Sequence, residues 1–407
     1  MPDEPTVVAG ASAAVMGARG CPCCGQTSLR AILDIDDVPT NSCILLNSRE
    51  EAMNYPVGDM RLVACNGCGF VFNRAFDLSL TEYSGRYEET QSYSETFNRF
   101  HRTLAERLIA KYDLAGGEVL EVGCGKGEFL ALLAEIGGVR GVGVDPGVHP
   151  ERIAPELAGK LRFIPEMFAP RHIDRDFDLV GCKMTLEHIP NPFEFVSTIR
   201  RGIGERRDCV VFFQVPEAMR ILETHAFEDV YYEHCAYYTA GSLSRLFRRA
   251  GFDILDAEIE YGGQYLTIEA KPAGGPGAGG VDDDEDRRKF AAVVDGFARG
   301  CAETVAVWRA RLDEAHAEGE TVILWGSGSK AVAFLTAVDP DRRIRFVTDI
   351  NPHRHGSFMP KSAQPIVPPR ALAQIRPDLV IAMNRIYVDE IRKSLGEIGV
   401  EPELAAL

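Results

Sequence analysis

The chain has 407 residues, and 44 Lys and Arg face 60 Asp and Glu, so its formal net charge is −16. This acidic balance disfavours nucleic acid as a partner, because binding a phosphate backbone needs clustered positive charge. Hydrophobic residues make up 45% and charged residues 26%, the balance of a soluble globular protein. A collagen, a coiled coil and a mainly disordered chain are therefore excluded, and the length indicates two or three domains.

The first residues lack the basic start and long apolar core of a secretory signal. No stretch approaches the roughly 18 apolar residues needed to span a bilayer. The 11 cysteines are too few for a disulfide scaffold of this size, and two close pairs among them suggest a metal in a reducing compartment. We therefore expect a cytoplasmic protein with no membrane partner, whose residues 1–18 are disordered.

The two cysteine pairs lie in the N-terminal part of the chain. Cys21 with Cys24, and Cys65 with Cys68, each fit the spacing C-x2-C, although Cys23 leaves the choice within the first pair open. Two such knuckles can supply four thiolates at the corners of a tetrahedron, which is what a structural Zn²⁺ requires. Four protein ligands leave no open position, so the predicted zinc stabilises a small module and takes no part in catalysis.

After the cysteine pairs, strands alternate with helices, which is typical of parallel α/β sheets. Helices are predicted over 100–112 and 129–136, and strands over 118–122, 139–144, 177–181, 179–184 and 209–213. A Gly/Pro run followed by an acidic run at 273–286 predicts a linker. The pattern then restarts, with a long helix over 286–317 and strands over 321–325, 345–348 and 379–382.

A glycine-rich turn follows the strand at 118–122 and opens the next helix, so that the backbone can approach a ligand closely. Its residues spell E-x-G-x-G-x-G, and an acid ends the next strand 20 residues after the middle glycine, where it can accept hydrogen bonds from both hydroxyls of a ribose. The dinucleotide fingerprint fails because Glu128 occupies its last glycine position. The turn resembles motif I of class I S-adenosylmethionine-dependent methyltransferases. Its candidate cofactor-binding residues are Glu121, Gly123, Cys124, Gly125, Gly127 and Asp145.

Two segments could carry acid–base chemistry. His188 follows a strand end, where an open α/β sheet lines its ligand crevice, although a capping or packing histidine fits this position equally well. Tyr231, Glu233 and His234 bring a phenol, a carboxylate and an imidazole within four residues. Imidazole is the side chain best matched to proton transfer near neutral pH, whereas the alternative interpretation is an aromatic packing strip.

The order of these features resembles the three-domain nucleotide-sugar C-methyltransferases, which act on dTDP-linked 4-keto-deoxysugars. The resemblance covers nearly the whole chain from Cys21 and includes a Gly-Gly-x-x-Leu segment at 262–266. It implies an α/β fold with a zinc-binding module at 19–80, a Rossmann-like methyltransferase domain at 81–272, a linker at 273–286 and a smaller Rossmann-like, nucleotide-sugar-binding domain at 287–407.

The resemblance also implies roles. His234 would remove the sugar C-3 proton, and Tyr231, Glu233 and His188 would surround the keto sugar and stabilise its enolate. The family often shows Tyr-x-Tyr upstream, but here Tyr87 is followed by Glu89 at the second position, which puts the role of a tyrosine there in doubt. Candidate substrate-binding residues are Tyr87, Gln214, Gly328, Lys330 and Asn384.

A second glycine turn offers a competing interpretation. Gly326, Gly328 and Ala331 fit G-x-G-x-x-[GA], and Asp349 follows Gly328 by 21 residues, as an NAD site would require. An NAD-dependent oxidoreductase activity of this domain is therefore an alternative, although the 87 residues from 321 to 407 are about half a dinucleotide fold.

Methylation of oxygen or nitrogen in another small metabolite is the second alternative, since such enzymes need little beyond positioning and a general base. The prediction we prefer is a methyltransferase that uses S-adenosylmethionine and a structural Zn²⁺ to methylate C-3 of a nucleotide-linked 4-keto-deoxysugar. Such an enzyme would work in deoxysugar and natural-product biosynthesis, as a monomer or a homodimer.

Overall fold

The computed structural model describes residues 20–274 and 283–407, so the disorder predicted for 1–18 lies outside the described residues. The strands in this part of the chain are β1 Leu29–Pro39, β2 Val57–Cys65, β3 Val71–Asn73, β4 Glu118–Val122, β5 Arg140–Val144, β6 Leu161–Ile164, β7 Leu179–Lys183, β8 Val210–Pro216, β9 Ala236–Tyr237, β10 Phe252–Glu260, β11 Tyr265–Pro272, β12 Val322–Trp325, β13 Phe346–Thr348, β14 Ile366–Val367, β15 Leu379–Ala382 and β16 Glu403–Ala406.

The α-helices cover the sheets and connect the parallel strands. They are α1 Arg49–Met53, α2 Glu95–Tyr112, α3 Glu128–Gly137, α4 Pro192–Ile203, α5 Ala218–Thr224, α6 Ala240–Arg249, α7 Asp283–Val294, α8 Phe297–Glu318, α9 Ser329–Ala337, α10 Leu372–Ile375 and α11 Val388–Ile398. None of these helices is both long and apolar enough to cross a membrane.

The N-terminal sheet has the order β1-β2-β3-β9 and is antiparallel throughout. Its fourth strand comes from the predicted Tyr-Glu-His segment, because Val71 pairs with Tyr237 and Phe72 with Ala236. The cysteine-bearing module is thereby joined to the segment that contains His234.

The central sheet has the order β10-β11-β8-β7-β4-β5-β6. The five strands from β8 to β6 are parallel, whereas β11 and β10 are antiparallel additions at one edge. Strand β4 is almost completely buried, as expected for an apolar run covered by helices on both faces. The expected Rossmann-like architecture is confirmed, and its sheet is mixed because of the β10–β11 hairpin.

The C-terminal sheet has the order β14-β13-β12-β15-β16, and all its strands are parallel. Strand β12 lies in the middle and leads through the second glycine turn into α9. This unit is therefore a second, smaller α/β layer.

Two sequence predictions need correction between the central and C-terminal sheets. The predicted linker at 273–286 lies partly outside the described residues, and its acidic end is the first turn of α7, where Asp286 Oδ2 accepts a hydrogen bond from Arg245 at 2.8 Å. The single helix predicted over 286–317 is two helices, since the chain leaves helical geometry between Val294 and Phe297. Gly296, a poor helix former, lies at this break.

Candidate active site

A cavity of about 810 Å³ lies at the carboxyl ends of the central strands. This is where open α/β sheets bind their ligands. Five of the six predicted cofactor-binding residues line it, and Gly127 does not. Gly127 instead begins α3 with a φ of 81°, and a Cβ there would lie 2.5 Å from the ring of Phe163. Its role in the turn is therefore close packing.

The first glycine turn is closed by the acid of the next strand. Asp145 Oδ2 accepts a hydrogen bond from the Gly125 amide at 3.0 Å, and Oδ1 accepts one from the Gly147 amide at 2.7 Å. Because a carboxylate has about four lone-pair sites, both oxygens can still accept hydrogen bonds from a ligand. Burial raises the pKa of Asp145. A Cβ on Gly125 would lie 2.6 Å from Glu89 Oε1, so that residue 125 must stay small.

Two buried polar atoms on the cavity wall, Glu121 Oε2 and Gln214 Nε2, have no hydrogen-bond partner in the described part of the chain. Glu89 Oε2 also accepts no hydrogen bond there, but it lies 3.4 Å from Nζ of Lys126. Burial raises the pKa of Glu121 and of Glu89 to about 7 each. Orphaned acceptors beside a glycine turn fit a ligand with hydroxyl and ammonium donors, which is the donor set of S-adenosylmethionine. The predicted residues thus fit the cofactor.

A buried lysine also lines this cavity. Lys183, at the end of β7, lies 2.9 Å from Nε2 of His101 and 4.2 Å from the ring centroid of Phe129. Burial lowers the pKa of Lys183 to about 8, against the opposing attraction of Glu121. The sequence predictions did not include Lys183, although its position at a strand end in the ligand crevice was a usable signal.

At the other side of the cavity, His188 and two tyrosines form the wall. The Tyr83 hydroxyl and His188 Nδ1 are 3.0 Å apart, and the rings of Tyr83 and Tyr87 meet edge to face with centroids 5.4 Å apart. Burial raises the pKa of both phenols well above 10 and lowers that of His188. Neutral phenols can donate to an oxygen that becomes negative. The sequence predictions did not include Tyr83, because a tyrosine in a loop gives no local signal of its function.

His234 lies behind His188 rather than among the residues that line the cavity. The two imidazole rings meet edge to face with centroids 4.9 Å apart. His234 Nε2 is 2.9 Å from the hydroxyl of Tyr231 and 3.9 Å from Oε1 of Glu187. Burial lowers the pKa of His234 well below 6.5, so that its imidazole is neutral and able to accept a proton.

Glu233 joins the N-terminal module to this cluster. One carboxylate oxygen accepts hydrogen bonds from the amide and hydroxyl of Ser42, and the other accepts one from the hydroxyl of Tyr87, all at 2.5 Å. Ser42 Oγ in turn lies 2.7 Å from Oγ of Ser329 at the start of α9. All four predicted catalytic residues are therefore brought together, at a junction of all three sheets.

The second glycine turn is filled by the protein's own side chains. Asp349 Oδ2 accepts hydrogen bonds from the amide and hydroxyl of Ser327 at 2.8 and 2.6 Å, and Oδ1 accepts one from the Asn351 amide at 2.8 Å. The buried Arg354 donates to the Ser327 carbonyl at 2.8 Å and to the carbonyl of Glu88. The acid that the motif would offer to an NAD ribose is thus used within the protein.

Two of the three remaining candidate substrate residues, Lys330 and Asn384, have partners within the protein. Lys330 Nζ lies 2.6 Å from Oδ2 of Asp229, so its charge is compensated. Asn384 and Gln264 form a reciprocal amide pair at 2.7 and 3.1 Å, which ties the C-terminal unit to the turn between β10 and β11. Gly328 precedes α9 and has open space beside it. In the structure Asn384 therefore makes an interdomain contact.

The four cysteine sulfurs lie together in the N-terminal module. Sγ of Cys21 is 3.6 Å from Sγ of Cys68, Sγ of Cys24 is 3.6 Å from Sγ of Cys65, and all four lie within 4.8 Å of one another. A tetrahedron with Zn–S bonds of about 2.3 Å has sulfurs about 3.8 Å apart. The four thiols therefore fit a tetrahedral metal ion, and Cys24 rather than Cys23 completes the set.

Comparison with known proteins agrees with this geometry. Residues 93–257 match the family described as a methyltransferase domain, and residues 280–401 match the C-methyltransferase C-terminal domain. The C-methyltransferase NovU of Streptomyces niveus is 26% identical over 388 residues, which are 91% of this chain and 90% of NovU. The chain is an S-adenosylmethionine-dependent C-methyltransferase.

Other similarities are more restricted. The ubiquinone biosynthesis O-methyltransferase of Photobacterium profundum is 34% identical over 118 residues, which are 26% of this chain and 49% of that protein. Among solved structures, the 1,6-didemethyltoxoflavin-N1-methyltransferase of Burkholderia thailandensis is 20% identical, with a TM-score of 0.34, and the match covers 45% of this chain and 84% of that one.

Proposed function

We propose that this C-methyltransferase methylates C-3 of a nucleotide-linked 4-keto-deoxysugar. The observation that carries the proposal is one cavity that has the motif I carboxylates on one side and a histidine with two phenols on the other. A carbon nucleophile must be made by removing a proton, and a neighbouring ketone supplies the acidity when its oxygen is stabilised. The similarity to NovU over 91% of the chain is consistent with this chemistry.

Glu121, Asp145 and the amides of the first turn would hold S-adenosylmethionine in this cavity, which His188 also lines. When bound, the cofactor supplies an electrophilic methyl group on a sulfonium. The turn needs to hold the donor and acceptor carbons in line and at short range, because positioning supplies much of the rate enhancement in such transfers.

His234 would act as the base. As a neutral imidazole it accepts the C-3 proton, and the electron pair of the C–H bond moves toward the ketone to give an enolate. Tyr83 is a neutral phenol that can donate to this oxygen, whereas the single O–H of Tyr87 donates to Glu233. Glu233, which lies between Tyr87 and Ser42, orients the phenol.

Two matched variants test the base, because His188 lines the cavity whereas His234 lies behind it. We expect His234→Asn to abolish turnover and leave S-adenosylhomocysteine binding unchanged, and His188→Asn to keep measurable turnover, as judged by methyl transfer and calorimetry. A reversed order would make His188 the base.

The four cysteines would hold a structural Zn²⁺ that stabilises the N-terminal module. The module supplies Ser42 to Glu233, so loss of the metal would disturb the acid–base cluster. Metal analysis of the purified chain is expected to give one zinc per chain, and none in a Cys65→Ser, Cys68→Ser double variant.

The decisive experiment supplies the purified enzyme with methyl-labelled S-adenosylmethionine and a panel of dTDP-4-keto sugars. Mass spectrometry should find the label on a sugar carbon, and deuterium should enter C-3 from D₂O without the methyl donor. Failure to methylate any sugar of the panel, or label on oxygen or nitrogen, would refute the proposed acceptor chemistry.

A further inference from the structure

Glu187 is a buried carboxyl group for which the base chemistry above gives no use. The side chain has no exposed surface, and neither of its oxygens has a hydrogen-bond partner among the described residues. An unsatisfied buried acceptor costs about 1–3 kcal/mol, and more when it is charged. Such a group is expected where its partner is present only during part of a reaction cycle.

The position of Glu187 suggests that partner. Its Oε1 lies 3.9 Å from Nε2 of His234, and ligand atoms of Glu187, His188 and His234 all lie within 4.8 Å of one another. A shift of about 1 Å would bring Glu187 to hydrogen-bonding distance of a protonated imidazole. His188, the third member of this group, lines the cavity wall.

Methylation of carbon creates the need for such an acceptor. The C–H electron pair stays on the substrate and forms the new C–CH₃ bond, while the electrons of the broken S–CH₃ bond leave with the neutral sulfur. The abstracted proton remains on His234, which is 5% exposed. Each turnover therefore leaves one proton in a buried site, and the next turnover requires its removal.

Resting on the function proposed above, we propose that Glu187 is a positioning residue that takes this proton from His234. The proton moves from Nε2 to a carboxylate oxygen, which regenerates the neutral imidazole and leaves a neutral carboxylic acid. From Glu187 it passes through His188 to the water of the open cavity, and the carboxylate is restored.

The surroundings of Glu187 suit a group that changes its protonation state. Burial raises the pKa of Glu187 to about 8, so the carboxylate that accepts the proton becomes the main form as the pH rises through 8. The titratable groups that interact with it in the described part of the chain include thiols, phenols and imidazoles: Cys182, Cys235, Tyr83, Tyr238, Tyr265, His188 and His234. A permanent salt bridge would instead hold Glu187 ionised.

The test compares Glu187→Gln with wild type in rapid-quench and steady-state methylation of the dTDP-4-keto sugar that wild type accepts. Glu187→Gln is expected to form one methylated product per chain at close to the wild-type rate and then to turn over at least ~20-fold more slowly, because the first proton stays on His234. Glu187→Asp should restore part of the steady-state rate. The exposed Glu223 on α5 provides a control, since Glu223→Gln should match wild type throughout.

Equal loss of the first and later turnovers, or no loss in either, would overturn the role of Glu187. So would a second metal equivalent per chain that disappears in Glu187→Gln, because the three side chains would then be ligands. If Glu187→Gln fails to fold, Glu187→Asp decides in the same rapid-quench comparison. It should keep the wild-type rate of the first turnover and lose steady-state rate, and an equal loss in both refutes the proposal. A wild-type enzyme that neither exchanges nor methylates C-3 would instead refute the proposed function.

Discussion

The two glycine turns of this chain share one backbone arrangement but differ in what their polar groups contact. In each turn, a buried central strand ends in glycines and a helix follows. An acid from the next strand accepts a hydrogen bond from a backbone amide of the turn. At the first turn Asp145 keeps free acceptor capacity and faces a cavity, with Glu121 Oε2 unsatisfied beside it. At the second, Asp349 accepts three hydrogen bonds and Arg354 donates to the Ser327 carbonyl.

The difference shows that such a motif specifies a backbone shape and leaves its use undecided. The amides and the carboxylate become a ligand site only where the rest of the chain leaves them unsatisfied. At the second turn the same groups hold the C-terminal unit to the remainder of the protein, because Arg354 also donates to the Glu88 carbonyl. One turn is thus free to bind a ligand and the other is a structural joint.

Asp145→Asn should give the largest effect at the first turn. The variant removes the charge that would accept the ribose hydroxyls, and charge-assisted hydrogen bonds contribute about 1.5–3 kcal/mol each. We expect the affinity for S-adenosylhomocysteine to fall ~100-fold or more by calorimetry. Affinity within threefold of wild type would mean that the acid only closes the turn.

Asp349→Asn is the matched variant at the second turn. The Asn side-chain amide would place its own N–H donors next to the donors of Ser327 or Asn351. The substitution would also remove the negative charge near the buried Arg354. We expect a loss of about 2 kcal/mol in the free energy of unfolding. Affinity for S-adenosylhomocysteine should not change, and a tenfold loss there would show that the two turns are coupled.

The sequence predicted the shapes of both turns correctly but could not predict which one was filled. Strand β4, its glycines and Asp145 follow from local pattern, because the chemistry and the spacing lie within 30 residues. Other contacts join residues that lie 27 to 266 positions apart in the sequence. They are the contacts of Arg354 with Ser327 and Glu88, and the contact of Tyr83 with His188. Spacing in one sequence carries no signal for such contacts. The break between α7 and α8 was missed because both helices have similar apolar patterns across Gly296.

The unsatisfied carboxyl at the first turn predicts a pH-dependent affinity. Burial raises the pKa of Glu121 to about 7, and the ionised form is the better acceptor for an ammonium or hydroxyl group. Affinity for S-adenosylhomocysteine should therefore rise as the pH rises through 7, with a loss of about tenfold per pH unit below it. Glu121→Gln should remove the part of this pH dependence that Glu121 contributes, as measured by calorimetry. Glu89→Gln measures how much of the pH dependence comes from Glu89, the second carboxyl group with a pKa of about 7.

We expect no binding of NADH, and this expectation tests the second turn directly. NADH titrated into the protein should produce no fluorescence change at concentrations up to about 1 mM, a weak-binding threshold of about −4 kcal/mol. To bind there, a ribose would have to displace two Ser327 donors from Asp349, and the pyrophosphate would have to displace the backbone contacts of Arg354. Measurable binding that Asp349→Asn abolishes would mean that both turns are ligand sites, because the protein's own contacts would then yield to a ligand at the second turn.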